Sequence, residues 1–311
     1  MYKKYAIGID GGATKTRVAV KEGMDGEVIY DESFPSSNYN NIGVQGIGQV
    51  FRSIYETLAQ RLGAKGLEEA VLVMGSAGID RPQDASVYLT ELMKSGFRCP
   101  IEVYNDAYIA LIGGNGGRHD ALLIAGTGSI CLGISRKGTE VRTGGWGALM
   151  GDEGSGYRIG IRSISAAMRA YDGIDGNTAL LKELLDFYKL DSPEAFVDLV
   201  YPSGVIPVRE IASCAPVVLT QYGKGDSAAV EIIEEEVNSM CKMILALGKK
   251  MDTEEFRLST GGSLLLKSES YFALLKKKLA EATPLVSICK PLYEPVQGAC
   301  ILAAQRAEKG C

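Results

Sequence analysis

The stretch Tyr5-Ala6-Ile7-Gly8-Ile9-Asp10-Gly11-Gly12-Ala13-Thr14-Lys15-Thr16-Arg17-Val18-Ala19-Val20 decides how the chain is read: an apolar run breaks at a carboxylate, two glycines and two hydroxyls, then resumes. The pattern predicts a strand, a tight turn and a second strand. Glycine amides without a Cβ beside them approach a phosphate closely, threonine hydroxyls donate to its oxygens, and an adjacent aspartate holds hydrated Mg²⁺. An ordinary hairpin, with Gly-Gly supplying positive φ and Asp10 solvated, fits the same residues. A matching turn elsewhere in the chain is what separates the two.

Such a turn follows Asp120, where the order restarts. Ala121-Leu122-Leu123-Ile124-Ala125 runs into Gly126-Thr127-Gly128-Ser129, and Ile130-Cys131-Leu132-Gly133-Ile134 resumes as a strand. The two segments read as a diverged structural repeat, so that two glycine–hydroxyl turns would face each other across a cleft and clamp a polyphosphate. A third turn, Thr260-Gly261-Gly262-Ser263, lies ahead of a helix and would let an adenine or ribose approach the backbone.

Between these turns the first part predicts a helix over about Gly43–Leu62, a buried strand at Ala70–Met74 running into Gly75-Ser76-Ala77-Gly78, a helix near Gln83–Ser95, and a strand Ile101–Tyr104 leading to Asn105-Asp106. The second part is mainly helical, near Gly154–Ala170, Thr178–Tyr188, Val208–Tyr222 and Ser227–Lys250. Strands followed by crossover helices, twice over, predict an α/β chain with a mixed sheet covered by helices in each of two lobes. The length of 311 residues suits two such lobes.

Composition narrows the function. A net charge of −5 with no Lys/Arg cluster argues against nucleic acid. No signal-type stretch and no run of 18 or more apolar residues is present, so no membrane partner and a cytoplasmic location are expected. The seven cysteines are scattered with no CxxC pair, and His119 is the only histidine, which leaves little material for a zinc site or a Ser-His-Asp triad. No Gx4GK[ST] occurs, so a P-loop is not expected. Asp106, just past a strand end, could accept a hydroxyl proton and orient the oxygen for in-line attack, or it could cap the helix that follows.

The run Gly144-Gly145-Trp146-Gly147-Ala148-Leu149-Met150-Gly151-Asp152-Glu153-Gly154-Ser155-Gly156 resembles the signature of N-acetylglucosamine kinases in the BadF/BadG/BcrA/BcrD ATPase family. More widely, the order of the three turns is similar to the first phosphate, second phosphate and adenosine motifs of the sugar kinase, Hsp70 and actin superfamily. The likeness spans nearly the whole chain. It implies a two-lobed actin-like (ribonuclease H-like) ATPase fold with a cleft between the lobes. The lobes would take residues 1–116 and 117–295, with a helix over 296–311 packing back on the first, where Gly298 and Ala299 permit close approach.

The resemblance also implies an activity: transfer of the γ-phosphate of ATP to the 6-hydroxyl of N-acetylglucosamine or a close relative, N-acetylmuramic acid or glucosamine. Asp106 would be the base. Gly11, Gly12, Thr14 and Lys15 would meet the phosphates, although Lys15 could instead point to solvent. Thr127, Gly128 and Ser129 form the second phosphate turn, and Gly261, Gly262 and Ser263 the adenosine turn. Asp10 would hold Mg²⁺. Asn38, Ser76, Gly145, Trp146 and Asp152, together with Asp106, would contact the sugar; as ordinary residues, Asn38 and Asp152 would be turn positions and Trp146 would pack beneath its loop. Kinases of this kind are often dimers, so a homodimer is a further expectation. The competing reading within the same family is an ATPase that activates a 2-hydroxyacyl-CoA dehydratase through an iron–sulfur cluster held by cysteines of two subunits. Here no cysteine directly precedes the Gly126 turn, and Cys131 follows it on a predicted strand.

Overall fold

The opening stretch forms an antiparallel pair, β1 (Tyr5–Gly11) and β2 (Lys15–Glu22), with Asp10 opposite Arg17 and Gly11 opposite Thr16. Period-two alternation gives the pair two working faces. Ile7, Ile9, Val18 and Val20 join the core with Ile47, Phe51, Ile54 and Leu58 of a helix on one side. Ala19, on the other face, meets Val296 and Cys300 of the C-terminal helix. The computed structural model describes residues 4–23, 26–79, 81–118, 120–202 and 204–308; His119 lies outside them.

The chain divides into two compact units, one taking residues up to Asp120 and again from Pro291, the other Ala121–Lys290. In the first unit β3 (Val28–Pro35), α1 (Tyr39–Glu68), β4 (Ala70–Ser76), α2 (Pro82–Ser95), β5 (Ile101–Asn105) and α3 (Asp106–Gly114) follow the hairpin. The sheet order is β3-β2-β1-β4-β5, with β4 parallel to β1 and β5 parallel to β4. Helix α1 is interrupted at Gly43 and Gly63, where φ is 70° and 71°, so its regular part coincides with the predicted span.

The second unit holds β6 (Ala121–Ala125), β7 (Ser129–Ile134), β8 (Glu140–Gly144), α4 (Gly156–Tyr171), α5 (Leu180–Tyr188), α6 (Phe196–Val200), α7 (Val208–Ala212), α8 (Ala215–Gly223), α9 (Ser227–Met251), β9 (Phe256–Gly261), α10 (Ser263–Lys267), α11 (Glu269–Ala282) and β10 (Val286–Cys289). Its sheet order, β10-β9-β6-β7-β8, is the first unit's order read from the other edge, with β9 parallel to β6 and β10 parallel to β9. The repeat predicted from the two glycine turns is therefore a repeat of topology, and the α/β class with a helix-flanked mixed sheet in each unit is what the chain adopts.

One prediction is corrected. The single helix over Val208–Tyr222 is two, α7 and α8, broken at Ser213 and Cys214. Pro216 causes the break: it has no N–H for the carbonyl of Ala212, and its ring would collide with that carbonyl in a continuous helix.

After β10 the chain returns to the first unit as α12 (Pro295–Glu308), which crosses α3. A Cβ on Gly298 would stand 2.0 Å from Ile109 O and 2.6 Å from Gly113 N, so only a bare glycine fits the crossing. Gly298→Ala is expected to cost about 2–3 kcal/mol through overpacking, lowering the thermal midpoint of the first unit by roughly 5–10 °C. A melt matching the wild type would show that the crossing tolerates a methyl group.

Candidate functional site

The Asp10–Lys15 turn is closed by its own backbone, since Gly12 N–H donates to Lys15 O at 3.0 Å. Side chains from the segment after β3 hold its outer carbonyls: Ser36 Oγ donates to Gly12 O at 3.0 Å and Asn41 Nδ2 to Ala13 O at 3.1 Å. Thr14 and Lys15 stay exposed at the tip. Ser76, expected on the sugar, has no exposed surface; its hydroxyl sits 3.1 Å from Gly11 O and 2.9 Å from Tyr88 Oη, underneath the turn. Asn38 is the N-cap of α1, its Oδ1 accepting from Asn40 N–H at 3.0 Å, and it is largely buried.

Asp106 does not cap α3. Asn105 does, with Oδ1 accepting from Ala107 N–H at 2.9 Å, and Asp106 occupies the first helical position. There a carboxylate gains from the helix dipole and is released from the capping role. Asp106 also acts on Asp10: burial, and next the charge of Asp106, push the Asp10 carboxyl up to about 6, against the weaker pull of Arg17 and Lys15. Arg17 is itself engaged by Asp31, at 2.7 and 2.9 Å, and by Glu294. A desolvated carboxylate whose ionisation is opposed by a neighbouring aspartate suits a hard cation. Among the described residues no group of three or more His, Cys, Asp or Glu side chains gathers as a complete metal cage. Mg²⁺ fits such a site, because it retains waters and takes one or two carboxylates with substrate phosphates.

In the second unit the Gly126–Ser129 turn is fastened to the start of α4. Gly156 N–H donates to Gly126 O at 2.7 Å and Tyr157 N–H to Thr127 O at 3.1 Å. The Ser129 hydroxyl donates to Glu153 O at 2.7 Å, which removes it as a donor to a phosphate. Asp152, also expected on the sugar, turns to this loop: its backbone is left-handed, with φ 61°, and its carboxylate accepts from the N–H groups of Ser129 and Gly147. Burial nevertheless leaves its carboxyl above the usual carboxylate range.

Trp146 does not pack beneath its loop; it is 58% exposed, with the Arg142 guanidinium 4.1 Å from its ring centroid. The same guanidinium donates to Gly144 O and Gly145 O at 2.9 and 3.0 Å, fixing the loop that carries the ring.

A cavity of about 620 Å³ opens beside the second turn, lined by Gly126, Thr127 and Ser263 among others. Its volume is in the range of small-molecule sites. Gly262 makes the approach possible, because at φ 82° a Cβ there would lie 2.3 Å from Ala125 O. The remaining wall includes Arg209, Ala212, Ser213, Pro216 and Leu219 from α7, α8 and the break between them, and Lys267 from α10. Sequence reasoning missed these residues, although Pro216 inside an apolar-periodic run was the available signal.

Comparison with known proteins follows the same lines. The model of the BadF/BadG/BcrA/BcrD ATPase family matches residues 7–303. An N-acetylmuramic acid/N-acetylglucosamine kinase of Clostridium acetobutylicum is 36% identical over 310 residues, covering 98% of this chain and 100% of its own. An N-acetyl-D-glucosamine kinase of Dictyostelium discoideum is 31% identical over 318 residues, covering 97% and 98%. A Chromobacterium violaceum structure, proposed to be an N-acetylglucosamine kinase, superposes with a TM-score of 0.71 at 24% identity over 96% of this chain and 99% of its own, and so shares the fold, that of the actin-like sugar kinases.

The Asp10 carboxyl has a higher folded value, about 6, than its ordinary 3.8, so the folded state favours the protonated form. Above pH 6 the ionised carboxyl costs on the order of 3 kcal/mol, a cost absent below pH 4 and growing as pH rises between the two. Asp10→Asn is therefore expected to raise the thermal midpoint of the metal- and nucleotide-free protein at pH 7.5, with its advantage over the wild type growing as pH rises from about 4 to about 6 and holding above. Unchanged melting curves across that window would show that Asp10 is not desolvated.

Proposed function

The chain belongs to the BadF/BadG/BcrA/BcrD ATPase family, and on that premise we propose that it is an ATP-dependent amino-sugar kinase transferring the γ-phosphate of ATP to the 6-hydroxyl of N-acetylglucosamine or a close relative, N-acetylmuramic acid or glucosamine. The observation that carries this reading is Asp106, a carboxylate at the first position of α3, electrostatically coupled to Asp10 at the end of β1. In this reading one carboxylate takes the proton and the other a cation.

In this mechanism Asp106 accepts the proton of the sugar 6-hydroxyl and orients its oxygen. That oxygen forms a bond to the γ-phosphorus as the bond to the ADP oxygen breaks, and the proton remains on Asp106. Mg²⁺, bound through Asp10 and water, would neutralise charge on the β- and γ-phosphates. Thr14 and Lys15 of the first turn and Thr127 of the second are exposed and suited to phosphate oxygens. The cavity behind Thr127 and Ser263 suits adenosine, with Ala212, Pro216, Leu219 and Leu264 as apolar walls. Gly145, Trp146, Asp152 and Asn38 would serve the sugar, while Ser76, buried against Gly11 O and Tyr88 Oη, supports the first turn. A reaction consuming ATP and a free sugar suits the cytoplasm; among the described residues no helix is long and apolar enough to cross a membrane.

The dehydratase-activator reading is not favoured. The relatives matched end to end are sugar kinases. Cys131, the cysteine nearest the second turn, is wholly buried on β7, and its thiol is pushed far above the usual range. It has no surface from which to share a cluster with a second subunit.

Incubation with Mg²⁺-ATP and a panel of amino sugars, followed by ADP release, is expected to give sugar-dependent turnover with at least one of the three. Absence of turnover with every amino sugar would overturn the assignment. Asp106→Asn is expected to lower kcat by 10²-fold or more while nucleotide affinity, read by calorimetry, changes little. Retention of full activity would remove Asp106 from the role of base.

A further inference from the structure

Glu236 lies in the middle of α9, outside every motif used above, and is 2% exposed. A carboxylate in that position is costly unless its oxygens are engaged. Its Oε2 accepts from Gly154 N–H at 2.7 Å and its Oε1 from Arg162 Nη1 at 3.0 Å, with Arg158 Nε 3.8 Å away. The carbonyl of the same glycine is taken by Tyr271 of α11, whose fully buried hydroxyl donates to Gly154 O at 2.9 Å. Burial holds that hydroxyl in its protonated, donating form. Gly154 itself has φ 77°, and a Cβ on it would stand 2.3 Å from Met240 Cγ. One residue is thus gripped at its N–H, at its C=O and on its Cα.

The grip falls between two functional segments. Just before Gly154, the Asp152 carboxylate and Glu153 O bond to Ser129 N–H and Oγ; just after it, Gly156 and Tyr157 donate to Gly126 O and Thr127 O. We propose that Glu236 and Tyr271 are positioning residues which, by holding Gly154, keep the amino-sugar loop and the second phosphate turn as one piece, so that both substrates depend on the same clamp. The proposal rests on the amino-sugar kinase reading for the identity of the two substrates. It concerns neither a contact with substrate nor a step of the chemistry.

The test uses two near-isosteric variants of the full chain. Tyr271→Phe removes one hydroxyl, and Glu236→Gln removes the charge while keeping the shape. Steady-state kinetics with amino sugar and ATP are run well below each variant's thermal midpoint, beside calorimetry with ADP and the emission of Trp146, the only tryptophan, on adding sugar. Each variant is expected to lose about tenfold in kcat/KM for both substrates, mainly through KM, and to bind ADP correspondingly more weakly. The double variant is expected to lose less than the product of the two, because both side chains grip one residue. Variants with a lowered thermal midpoint but wild-type kcat/KM and ADP affinity would overturn the proposal, as would a loss confined to one substrate. Should Glu236→Gln fail to fold, Tyr271→Phe decides alone by the same criteria. If the wild type phosphorylated no amino sugar, the kinase reading would fail, whereas ADP affinity and Trp146 emission would still report on the clamp.

Discussion

Two backbone hydrogen bonds, from Gly156 N–H to Gly126 O and from Tyr157 N–H to Thr127 O, tie the start of α4 to the turn between β6 and β7, and the placement of that turn beside the cavity depends on them. The first amides of a helix have no partners within it and must find acceptors elsewhere. Here they find the carbonyls of a glycine turn, so the helix end acts as a support for the turn. Ser155 completes the arrangement by capping the same helix, its Oγ accepting from Arg158 N–H at 3.2 Å. With the turn fixed from behind, Thr127 is left exposed on the rim of the cavity.

The first unit repeats the topology with a different fastening. Its turn is held by Ser36 and Asn41 and is underpinned by the buried Ser76–Tyr88 pair. The chemistry has diverged with the fastening. Asp10 ends the apolar run of β1 just before its glycines, whereas Ala125 stands at the corresponding place before Gly126. At this strand end a carboxylate suited to a cation is therefore present in the first unit and replaced by a methyl group in the second. In the second, Gly262 presses against the carbonyl of Ala125, and the cavity lined by Gly126, Thr127 and Ser263 lies nearby.

What the sequence made legible was local. A strand, a glycine turn and a strand can be read from residue types alone, because positive φ, bare amides and apolar alternation are properties of short segments, and the repeat of two sheets followed from finding that pattern twice. Contacts between distant segments were not legible. Nothing near Ser76 in the chain announces that Tyr88 and Gly11 will enclose its hydroxyl, and nothing near Glu236 announces Gly154, 82 residues away. For Asp106 the residue types fit both a base and a cap, and only the contact of Asn105 Oδ1 with Ala107 N–H removes the cap reading. Pro216 is a different case: its signal was local, but the apolar period of α7 and α8 outweighed it, and the break it makes supplies part of the cavity wall.

Three of the carboxylates that the fold withdraws from water, Glu236, Asp152 and Asp10, show what decides which of them is open to a ligand. Glu236 is the most buried of the three, yet Gly154 N–H and Arg162 satisfy it, which commits it to structure. Asp152 is partly compensated by two backbone N–H groups and remains above the usual carboxylate range. Asp10 is desolvated and faces the charge of Asp106, with Arg17 largely engaged by Asp31 and Glu294. Its ionised form is the least supported by protein donors, so it gains the most from an incoming cation. A site that binds charge tightly is thus one the folded chain leaves under-compensated, and the stability lost there is returned when the ligand binds.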